Sequence, residues 1–428
     1  MLKLILLLEL LFQRASLVYS LLKVPIYWAF GVAALLTPQL QVKVIHFIKR
    51  ENQPVMRARS IFIWLSLLTV THGCSDGPVI AEQEGPLHDL NVQARCAAPD
   101  LALNEVQSIG SHNSYKTAIP TLEMIALRRN SAEAAEALDY SHLPLSAQLD
   151  LGMRQLEIDV FYDPEGGLYS DPYLPRAIPS IRKRYNVPEM DRPGFKVMHV
   201  QDVDQRSQCQ LFTQCLSQIS AWSNQHPQHT PILILVNAKQ APIELEEAVV
   251  PLAFTGEAFD ALDAELRAAI APSQLITPDD IRAGAPTLRE AVTRTGWPSY
   301  QASKGKLLFA LDEPPEVVNT YLRGKLSLEG HPFFVNSVSQ DADHAAYFTL
   351  NDPRADALKI RTAIKAGFLV RTRADANTIE ARTNDTARRK AAFASGAQYI
   401  STDYYLARKD WSDYAVRLPG GNVTRCRP

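Results

Sequence analysis

From about residue 100 onward, apolar runs recur along the chain, and a helical or loop segment separates each run from the next. The runs at 232–236 and 307–311 do not alternate apolar with polar residues, which is typical of parallel strands covered on both faces. Amphipathic helices are predicted between runs, for example over 211–224, 258–270, 355–366 and 375–395. The predicted strands cover residues 105–110, 154–161, 195–200, 231–236, 306–311, 332–335, 367–370 and 397–401.

Eight strands that alternate with helices over about 300 residues predict an α/β fold and favour a closed (β/α)8 TIM-type barrel above an open doubly wound sheet. Two connections depart from this alternation. Residues 163–194 contain six prolines and no helical period, so an irregular Pro-rich loop is expected after the second strand. The longest connection, 238–305, has room for an insertion of one or two helices. No segment has the composition of an interdomain linker, so a single domain is predicted.

The N-terminal part of the chain has a different composition. Residues 1 to about 38 are almost entirely apolar, and a second apolar run, 61–70, follows a basic flank and precedes Cys74. This second pattern is typical of a secretory signal that begins near Met56, and it is too short to span a bilayer as a helix. The alternative interpretation is a membrane helix around residues 17–38.

The predicted organisation is a hydrophobic N-terminal extension and signal segment over 1–73, a polar tether over 74–98 and the barrel over 99–428. The protein is expected to be exported, either lipid-anchored to a bacterial membrane through Cys74 or secreted or periplasmic. Besides Cys74, four cysteines remain, and an even number in an exported chain favours two disulfides. Of the three connectivities we choose Cys209–Cys215 and Cys96–Cys426; four free thiols are the alternative.

Composition excludes one class of partner. The chain is 46% apolar and 21% charged, as expected of a globular protein with a sizeable core. Its formal net charge is −2, and no long basic run is present, so no nucleic-acid partner is expected. No obligate protein partner is inferred.

Polar side chains follow the predicted strands, as the catalytic face of a barrel requires. Glu157 and Asp159 are two residues apart and therefore lie on the same side of their strand. The polar residues at strand ends are His112, Asn113, Glu157, Asp159, His199, Asn237, Lys239, Asp312, Arg371, Arg373 and Asp403.

Four of these residues offer hard oxygen donors to a metal ion. Asn113, Glu157, Asp159 and Asn237 supply carboxylates and amides without thiolates, which suits calcium or magnesium and not zinc. Such an ion can stabilise negative charge on a reacting phosphoryl group.

The remaining residues supply proton transfer and positive charge. His112 and His199 come from different strands and can act as base and acid on opposite sides of a reacting centre. Lys239, Arg371 and Arg373 can bind a phosphate. A divalent cation, two histidines and a basic rim together indicate phosphodiester cleavage.

Several residues also have a plainer interpretation. Asp312 and Asp403 are equally compatible with the site and with capping the helix that follows each of them. Arg371 and Arg373 follow their apolar run, which places them at the catalytic end of the barrel. A structural role is expected for the other histidines, namely His142, His226, His229, His331 and His344.

The motifs at the strand ends resemble those of one enzyme family. They read SHNSY at 111–115, LEIDV at 156–160, MHVQD at 198–202, GKLLFALD at 305–312, LVRTRAD at 369–375 and GAQYISTD at 396–403. In this order they resemble the catalytic domain of phosphatidylinositol-specific phospholipases C, and most closely the calcium-dependent secreted bacterial branch.

The resemblance implies a barrel in which His112 and His199 are the catalytic pair. In the mechanism we expect, Glu157 helps the histidine that acts as the base. The resemblance also implies that Asn113, Glu157 and Asp159 are ligands of calcium, with magnesium less expected. The fourth strand of the family usually presents a glutamate to the metal, whereas this chain has Asn237. One negative charge is therefore missing, and weaker calcium binding is predicted.

The expected function is calcium-dependent cleavage of phosphatidylinositol, or of a related phospholipid at a membrane surface, to diacylglycerol and an inositol phosphate. The order of the two histidines as base and acid stays open. One alternative is a phosphodiesterase on the same barrel that acts on glycerophosphodiesters or sphingophospholipids. The other is a non-catalytic lipoprotein that binds phosphoinositides.

Overall fold

The computed structural model describes residues 100–428. The predictions for the extension, the signal, the tether, Cys74 and Cys96 lie outside the described residues. Among the helices of residues 100–428, none is long and apolar enough to cross a bilayer.

The described residues form one barrel domain around a single sheet. The sheet follows the order β6-β5-β4-β2-β1-β9-β8-β7, with β3 and β10 added beside β2 and β1. The strands are β1 (Val106–Ser111), β2 (Gln155–Asp163), β3 (Gly194–Val197), β4 (Ile232–Ala238), β5 (Leu307–Leu311), β6 (Phe333–Val335), β7 (Tyr347–Thr349), β8 (Leu369–Arg373), β9 (Tyr399–Thr402) and β10 (Thr424–Cys426).

The eight strands of the main path are parallel, and they nearly close on themselves. Between the two ends of the path, β6 and β7, one parallel bridge joins Asn336 to Tyr347, and the Ser337 N–H donates to the Tyr347 carbonyl at 3.0 Å. The predicted α/β class, the TIM-type barrel and the single domain are confirmed. The core is made by the continuous apolar strands, and every residue of β5 is buried.

One predicted barrel strand is wrong and one barrel strand was missed. The run at 195–200 contributes only β3, which pairs antiparallel with β2 and lies outside the barrel path. The barrel position is taken by β7, a three-residue strand between β6 and β8. A buried antiparallel strand and a buried barrel strand have the same apolar composition, so the run itself does not reveal which partner it has.

Helices cover the outside of the barrel and its rim. They are α1 (Thr121–Asn130), α2 (Ala132–Ala137), α3 (Leu145–Asp150), α4 (Tyr173–Arg176), α5 (Pro179–Arg182), α6 (Phe212–Gln225), α7 (Gly256–Ala269), α8 (Pro278–Arg282), α9 (Leu288–Glu290), α10 (Tyr300–Ser303), α11 (Pro315–Leu322), α12 (Ala357–Lys365), α13 (Ile379–Thr383) and α14 (Ala387–Ala394), with a π-helical turn at Ala291–Thr295 and 3-10 turns at Leu103–Glu105, Pro188–Asp191, Pro272–Gln274 and Pro419–Gly421.

Helix α7 illustrates how the sequence specifies an outer helix. Thr255 caps its N-terminus, since the side-chain oxygen accepts from the Ala258 N–H at 3.3 Å. Phe259, Leu262 and Leu266 recur at spacings of three and four, and all three are buried against the barrel. The single helix predicted over 375–395 is instead two helices, α13 and α14, because Asn384 adopts a left-handed φ of 54° that ends the first one.

Two further predictions concern irregular parts of the chain. The loop after β2 is irregular as predicted and contains only the short helices α4 and α5 and one 3-10 turn. The disulfide Cys209–Cys215 is present, with the two Cα atoms 5.2 Å apart. Cys426 is also disulfide-bonded, but the predicted partner, Cys96, lies outside the described residues.

Candidate active site

Strand β2 places two carboxylates inside the barrel. Leu156, Ile158 and Val160 alternate with Glu157 and Asp159, so the two acidic side chains share one face of the strand, and both are buried. In the register with β4, Asp159 lies opposite Asn237. Neighbouring strands thus bring the carboxylates and the amide together.

The first histidine belongs to a buried chain of charged groups. His112 Nδ1 lies 2.9 Å from Asp403 Oδ1, and the Arg373 guanidinium donates to the other Asp403 oxygen at 3.1 Å. Burial raises the pKa of Asp403, but His112 and Arg373 outweigh it and hold that pKa well below its usual range. Asp403 is therefore an ionised partner that orients the imidazole, and it caps no helix.

The second histidine has an equivalent partner. His199 Nδ1 lies 2.9 Å from Asp204 Oδ2, and the fully buried Lys116 ammonium lies 3.2 Å from the same oxygen. Lys116 also donates to the Tyr140 carbonyl at 2.8 Å. In each case the Nδ1 atom of the histidine contacts an aspartate, and that aspartate also pairs with a cationic side chain.

Tyr140 stands between the two histidines. Its ring centre is 6.1 Å from that of His112 and 6.3 Å from that of His199. Burial raises the pKa of Tyr140 well above its ordinary value, so the phenol is neutral. It accepts a hydrogen bond from Asn113 Nδ2 at 2.7 Å, which leaves the Asn113 carbonyl oxygen as the group available to a metal.

The two carboxylates are paired with cations of the barrel. Arg371 donates to Glu157 Oε2 at 2.5 Å, and Lys239 Nζ lies 3.3 Å from Asp159 Oδ2. Burial opposes ionisation of Asp159, yet Lys239 and neighbouring donors keep its pKa below the ordinary value. Asn237 Nδ2 lies 2.8 Å from Asp159 Oδ1 and 3.2 Å from Glu157 Oε1, so one oxygen of each carboxylate faces the same amide.

Two further carboxyl groups follow β5. Burial raises the pKa of Asp312 to about 6 and that of Glu313 to about 8. The side chain of Glu313 accepts from the Ala238 N–H, which places it beside the end of β4. Helix α11 begins three residues after Asp312 and has Pro314 at its N-cap, so Asp312 does not cap it.

These donors fit a hard cation. Glu157, Asp159 and Asn237 converge on one point, and rotating the Asn237 amide would present an oxygen there in place of the nitrogen. Among residues 100–428, no group of three or more histidine, cysteine or acidic residues surrounds a metal position. The set therefore relies on amide oxygens beside two carboxylates, a composition that calcium accepts and zinc does not.

The structure brings the predicted site residues to one end of the barrel, and it adds others. Asp204, Lys116, Tyr140 and Glu313 were not predicted. Asp204 lies only five residues after His199, and this closeness to a predicted catalytic histidine is the only hint that the sequence offers of its role. Lys116 directly follows the predicted motif at 111–115, whereas nothing in the sequence around Tyr140 indicates its position.

His142 has the structural role predicted for it, close to the site. Its Nε2 donates to the His112 carbonyl at 2.7 Å, and its ring stacks on Tyr405 at 5.5 Å between centres. Burial lowers the pKa of His142 to about 4, so the ring is neutral near pH 7.

A TIM-type barrel whose strand ends gather two histidine–aspartate pairs, buried carboxylates and cations is an arrangement typical of a phosphodiesterase. A sequence model described as "Phosphoinositide phospholipase C, Ca2+-dependent" matches residues 101–428. The chain belongs to this family. It is accordingly a phosphodiesterase of the phosphoinositide phospholipase C class, and calcium is its cofactor.

Solved structures of similar proteins come from the same class. A calcium-dependent phosphoinositol-specific phospholipase C from a Gram-negative Pseudomonas species aligns at 16% identity and a TM-score of 0.49, covering 77% of this chain and 97% of that one. The Streptomyces antibioticus enzyme aligns at 18% identity and a TM-score of 0.46, covering 71% and 95%. Comparison with curated protein sequences gave no significant match.

Proposed function

We propose that the chain cleaves phosphatidylinositol, or a closely related inositol phospholipid, to diacylglycerol and an inositol phosphate by acid–base catalysis. The observation that carries the proposal is the pair of His–Asp dyads beside Glu157 and Asp159. The histidine side chains are 16% and 18% exposed, whereas those of the two carboxylates are at most 5% exposed. The two histidines are thus more accessible to a substrate than the two carboxylates.

His112 is assigned the role of base. An arginine can only donate, so the 3.2 Å contact from Arg373 to His112 Nε2 requires that nitrogen to be an acceptor, and the proton then lies on Nδ1 toward Asp403. Burial, the largest influence, lowers the pKa of His112, which favours the neutral ring. A neutral imidazole with a lone pair on Nε2 is the form that accepts a proton.

His199 is then the acid. The inositol 2-hydroxyl loses its proton to His112 and attacks phosphorus, while the bond from phosphorus to the diacylglycerol oxygen breaks and that oxygen takes a proton from His199. Glu157 Oε1 lies 3.6 Å from His112 Nε2, close enough to stabilise the imidazolium that forms. Asp204 orients His199 through Nδ1 and leaves Nε2 for the leaving oxygen.

Positive charge for the phosphate comes from the rim of the site. The Lys239 side chain is 37% exposed and that of Arg373 is 13% exposed, so both can reach a substrate phosphate. Arg371 is only 1% exposed and is bound to Glu157, so its contribution is to hold that carboxylate in place. Calcium, held by Asn113, Glu157, Asp159 and Asn237, would lower the pKa of the attacking hydroxyl and offset charge on the phosphoryl oxygens.

Export of the protein, with lipid attachment at Cys74, is proposed from the sequence pattern before that residue. Intact-mass measurement of the native protein tests it. A chain that starts at Cys74 and carries lipid supports the proposal, and a chain that retains Met1 contradicts it.

The function is tested by a substrate panel at high calcium and in excess chelator. Phosphatidylinositol should be cleaved with release of diacylglycerol, and chelator should abolish the release. Preference for sphingomyelin or glycerophosphoinositol would move the assignment to a different phosphodiesterase on the same barrel. Turnover of none of them at any calcium concentration would contradict catalysis and leave the binding lipoprotein as the better interpretation.

A further inference from the structure

We propose that Tyr140 is a positioning residue for calcium, because its hydroxyl group keeps the carbonyl oxygen of the Asn113 amide turned toward the metal position. In this role Tyr140 acts through Asn113 and is not itself a ligand. The inference rests on the proposed function, since Asn113 is one of the four calcium ligands named there.

The backbone of Asn113 is fixed beside one of the carboxylates. Its φ of 47° is left-handed, a conformation that asparagine adopts more readily than most residues. The next residue, Ser114, makes two hydrogen bonds to the backbone of Glu157. Its N–H donates to the Glu157 carbonyl at 2.9 Å, and its hydroxyl accepts from the Glu157 N–H at 2.8 Å. Strand β2 therefore sets where the Asn113 side chain lies, and the orientation of its amide decides which atom faces the site.

The hydroxyl group of Tyr140 determines that orientation. Asn113 Nδ2 donates to it at 2.7 Å, and both residues are buried. Within residues 100–428, this is the hydrogen bond that the structure shows for the Asn113 side chain. Without the hydroxyl, the amide nitrogen would be buried and unpaired, which is unfavourable. The amide would then be stabilised by turning its nitrogen toward another acceptor.

The Asn237 amide shows what such a turn does to the site. Its Nδ2 donates to Asp159 Oδ1 at 2.8 Å and to Glu157 Oε1 at 3.2 Å. In that orientation the nitrogen faces the carboxylates, and the amide must rotate before its oxygen can bind a cation. Asn113 needs no such rotation, because Tyr140 holds its nitrogen. One amide of the site is therefore oriented for calcium in advance and the other is not.

Packing around the ring gives the Tyr140 hydroxyl a defined position. The Lys116 ammonium lies 4.7 Å from the ring centre and donates to the Tyr140 carbonyl at 2.8 Å. The ring centres of His112 and His142 lie 6.1 and 5.7 Å from that of Tyr140. A group that orients a metal ligand must itself be held in place, and this ring is contacted from several sides.

The loop that presents Tyr140 is also anchored from outside the site. Its neighbour Asp139 pairs with Arg382 at 3.2 Å and with Arg408 at 2.8 Å. The guanidinium carbons of these two arginines lie 3.6 and 3.8 Å from the centre of the Trp411 ring. The loop between α2 and α3 is thus tied to α13 and to the segment that follows β9.

The test is the calcium affinity of Tyr140→Phe, which removes the hydroxyl and keeps the ring. Loss of a partner that orients a metal ligand typically weakens metal binding 10- to 100-fold, so the calcium dissociation constant measured by calorimetry should rise by roughly that factor. The matched control is Tyr405→Phe, which also loses a hydroxyl of a buried tyrosine. That hydroxyl accepts from the Leu143 N–H at 2.9 Å, and the control should bind calcium like the parent. Equal affinities of Tyr140→Phe and the parent would overturn the inference.

A double-mutant cycle tests whether Tyr140 acts through Asn113. Asn113→Ala alone should weaken calcium binding, because it removes the proposed ligand. Adding Tyr140→Phe to Asn113→Ala should cause no further loss, because the hydroxyl then has no amide to orient. Losses that multiply in the double variant would contradict the inference, and so would an Asn113→Ala variant with the calcium affinity of the parent.

The calcium dependence of turnover separates positioning from direct catalysis. In Tyr140→Phe, the calcium concentration that gives half-maximal hydrolysis of phosphatidylinositol should rise by the same factor as the dissociation constant. A loss of turnover that saturating calcium does not recover would assign the hydroxyl to the reaction itself and overturn the positioning role.

The same measurements separate this inference from the function on which it rests. If Tyr140→Phe weakens calcium binding but the parent cleaves no inositol lipid, the function fails and the positioning role stands. If the parent cleaves phosphatidylinositol in a calcium-dependent manner and Tyr140→Phe binds calcium like the parent, the positioning role fails and the function stands.

Discussion

Replacing Asn237 by glutamate should tighten calcium binding. In the parent, the Asn237 amide donates to both Glu157 and Asp159, and those carboxylates are already paired with Arg371 and Lys239. The two carboxylates that could bind calcium are therefore already neutralised by two cationic side chains. Affinity for calcium rises with the number of charged ligands, so we expect the parent to saturate only at high calcium.

The magnitude follows from the charge that is added. Unit charges about 4 Å apart interact by about 4 kcal/mol at an effective dielectric constant of ~20. Part of this is lost because the new carboxyl group must stay ionised beside Glu157 and Asp159, and because Lys239 can pair with it. We therefore expect Asn237→Glu to lower the calcium dissociation constant roughly 10- to 100-fold, or about 1.4–2.8 kcal/mol.

Asn237→Gln is the matched control, because it has the length of glutamate without the charge. Calcium titrations by calorimetry and of phosphatidylinositol hydrolysis should separate the two variants. In excess chelator, Asn237→Glu should also melt at a lower temperature than Asn237→Gln, and calcium should reverse the difference. Equal affinities of the two variants would refute the reasoning from charge. Equal activity of the parent with and without chelator would show that calcium is not used at this site.

Three further predictions concern the surroundings of the histidines and the local disulfide. Lys116→Met should lower the free energy of unfolding by about 3–5 kcal/mol, because it leaves the buried Asp204 charge without its cation. The double variant Lys116→Met/Asp204→Asn should regain stability but not turnover. If Lys116→Met alone were as stable as the parent, the pairing would be contradicted. His142, with a folded pKa of about 4 against an ordinary 6.5, contributes stability that is present above pH 6.5 and lost as pH falls toward 4. Between pH 7 and pH 4.5, the free energy of unfolding measured with denaturant should fall by about 2–3 kcal/mol more for the parent than for His142→Gln. Identical pH profiles of stability for the two proteins would exclude this contribution. Replacing Cys209 and Cys215 by alanine should cost about 2 kcal/mol, because the loop they close is short, and an unchanged denaturation midpoint would argue against the bond.

The barrel was predictable because its strands are covered on both faces. A strand such as β4 is apolar at nearly every position, and the spacing of such runs gave the class of fold. Strand β7 was missed because only three residues form it and a mostly polar segment precedes it. The run that forms β3 was predicted to be a barrel strand, whereas it pairs antiparallel with β2. The direction of pairing depends on the partner strand, and the composition of the run does not reveal that partner.

The site was predictable as far as its residues lie on strands. Alternation placed Glu157 and Asp159 on one face, and the register with β4 then brings in Asn237. The partners of the histidines depend on loops that fold back, and these were not predicted. Asp204 reaches His199 because the chain reverses between Val200 and Asp204, whose backbones form an antiparallel bridge.

The charge balance of the site was also beyond the sequence. Arg371 and Arg373 were both predicted to bind phosphate. The structure pairs Arg371 with Glu157, which lies 214 residues away in the sequence, and Arg373 with Asp403, which lies 30 residues away. Only the closed barrel brings these groups together.

The central claim is that His112 and His199 transfer the protons of the reaction. The most direct test is the turnover of vesicular phosphatidylinositol at saturating calcium by His112→Ala and His199→Ala, with His226→Ala as the control. His226 is exposed and stacks on Trp222, away from the site. Each catalytic variant should lose roughly 10²–10⁴-fold in kcat while melting like the parent, and His226→Ala should keep the parent rate. Turnover near the parent value in both His112→Ala and His199→Ala would contradict the account.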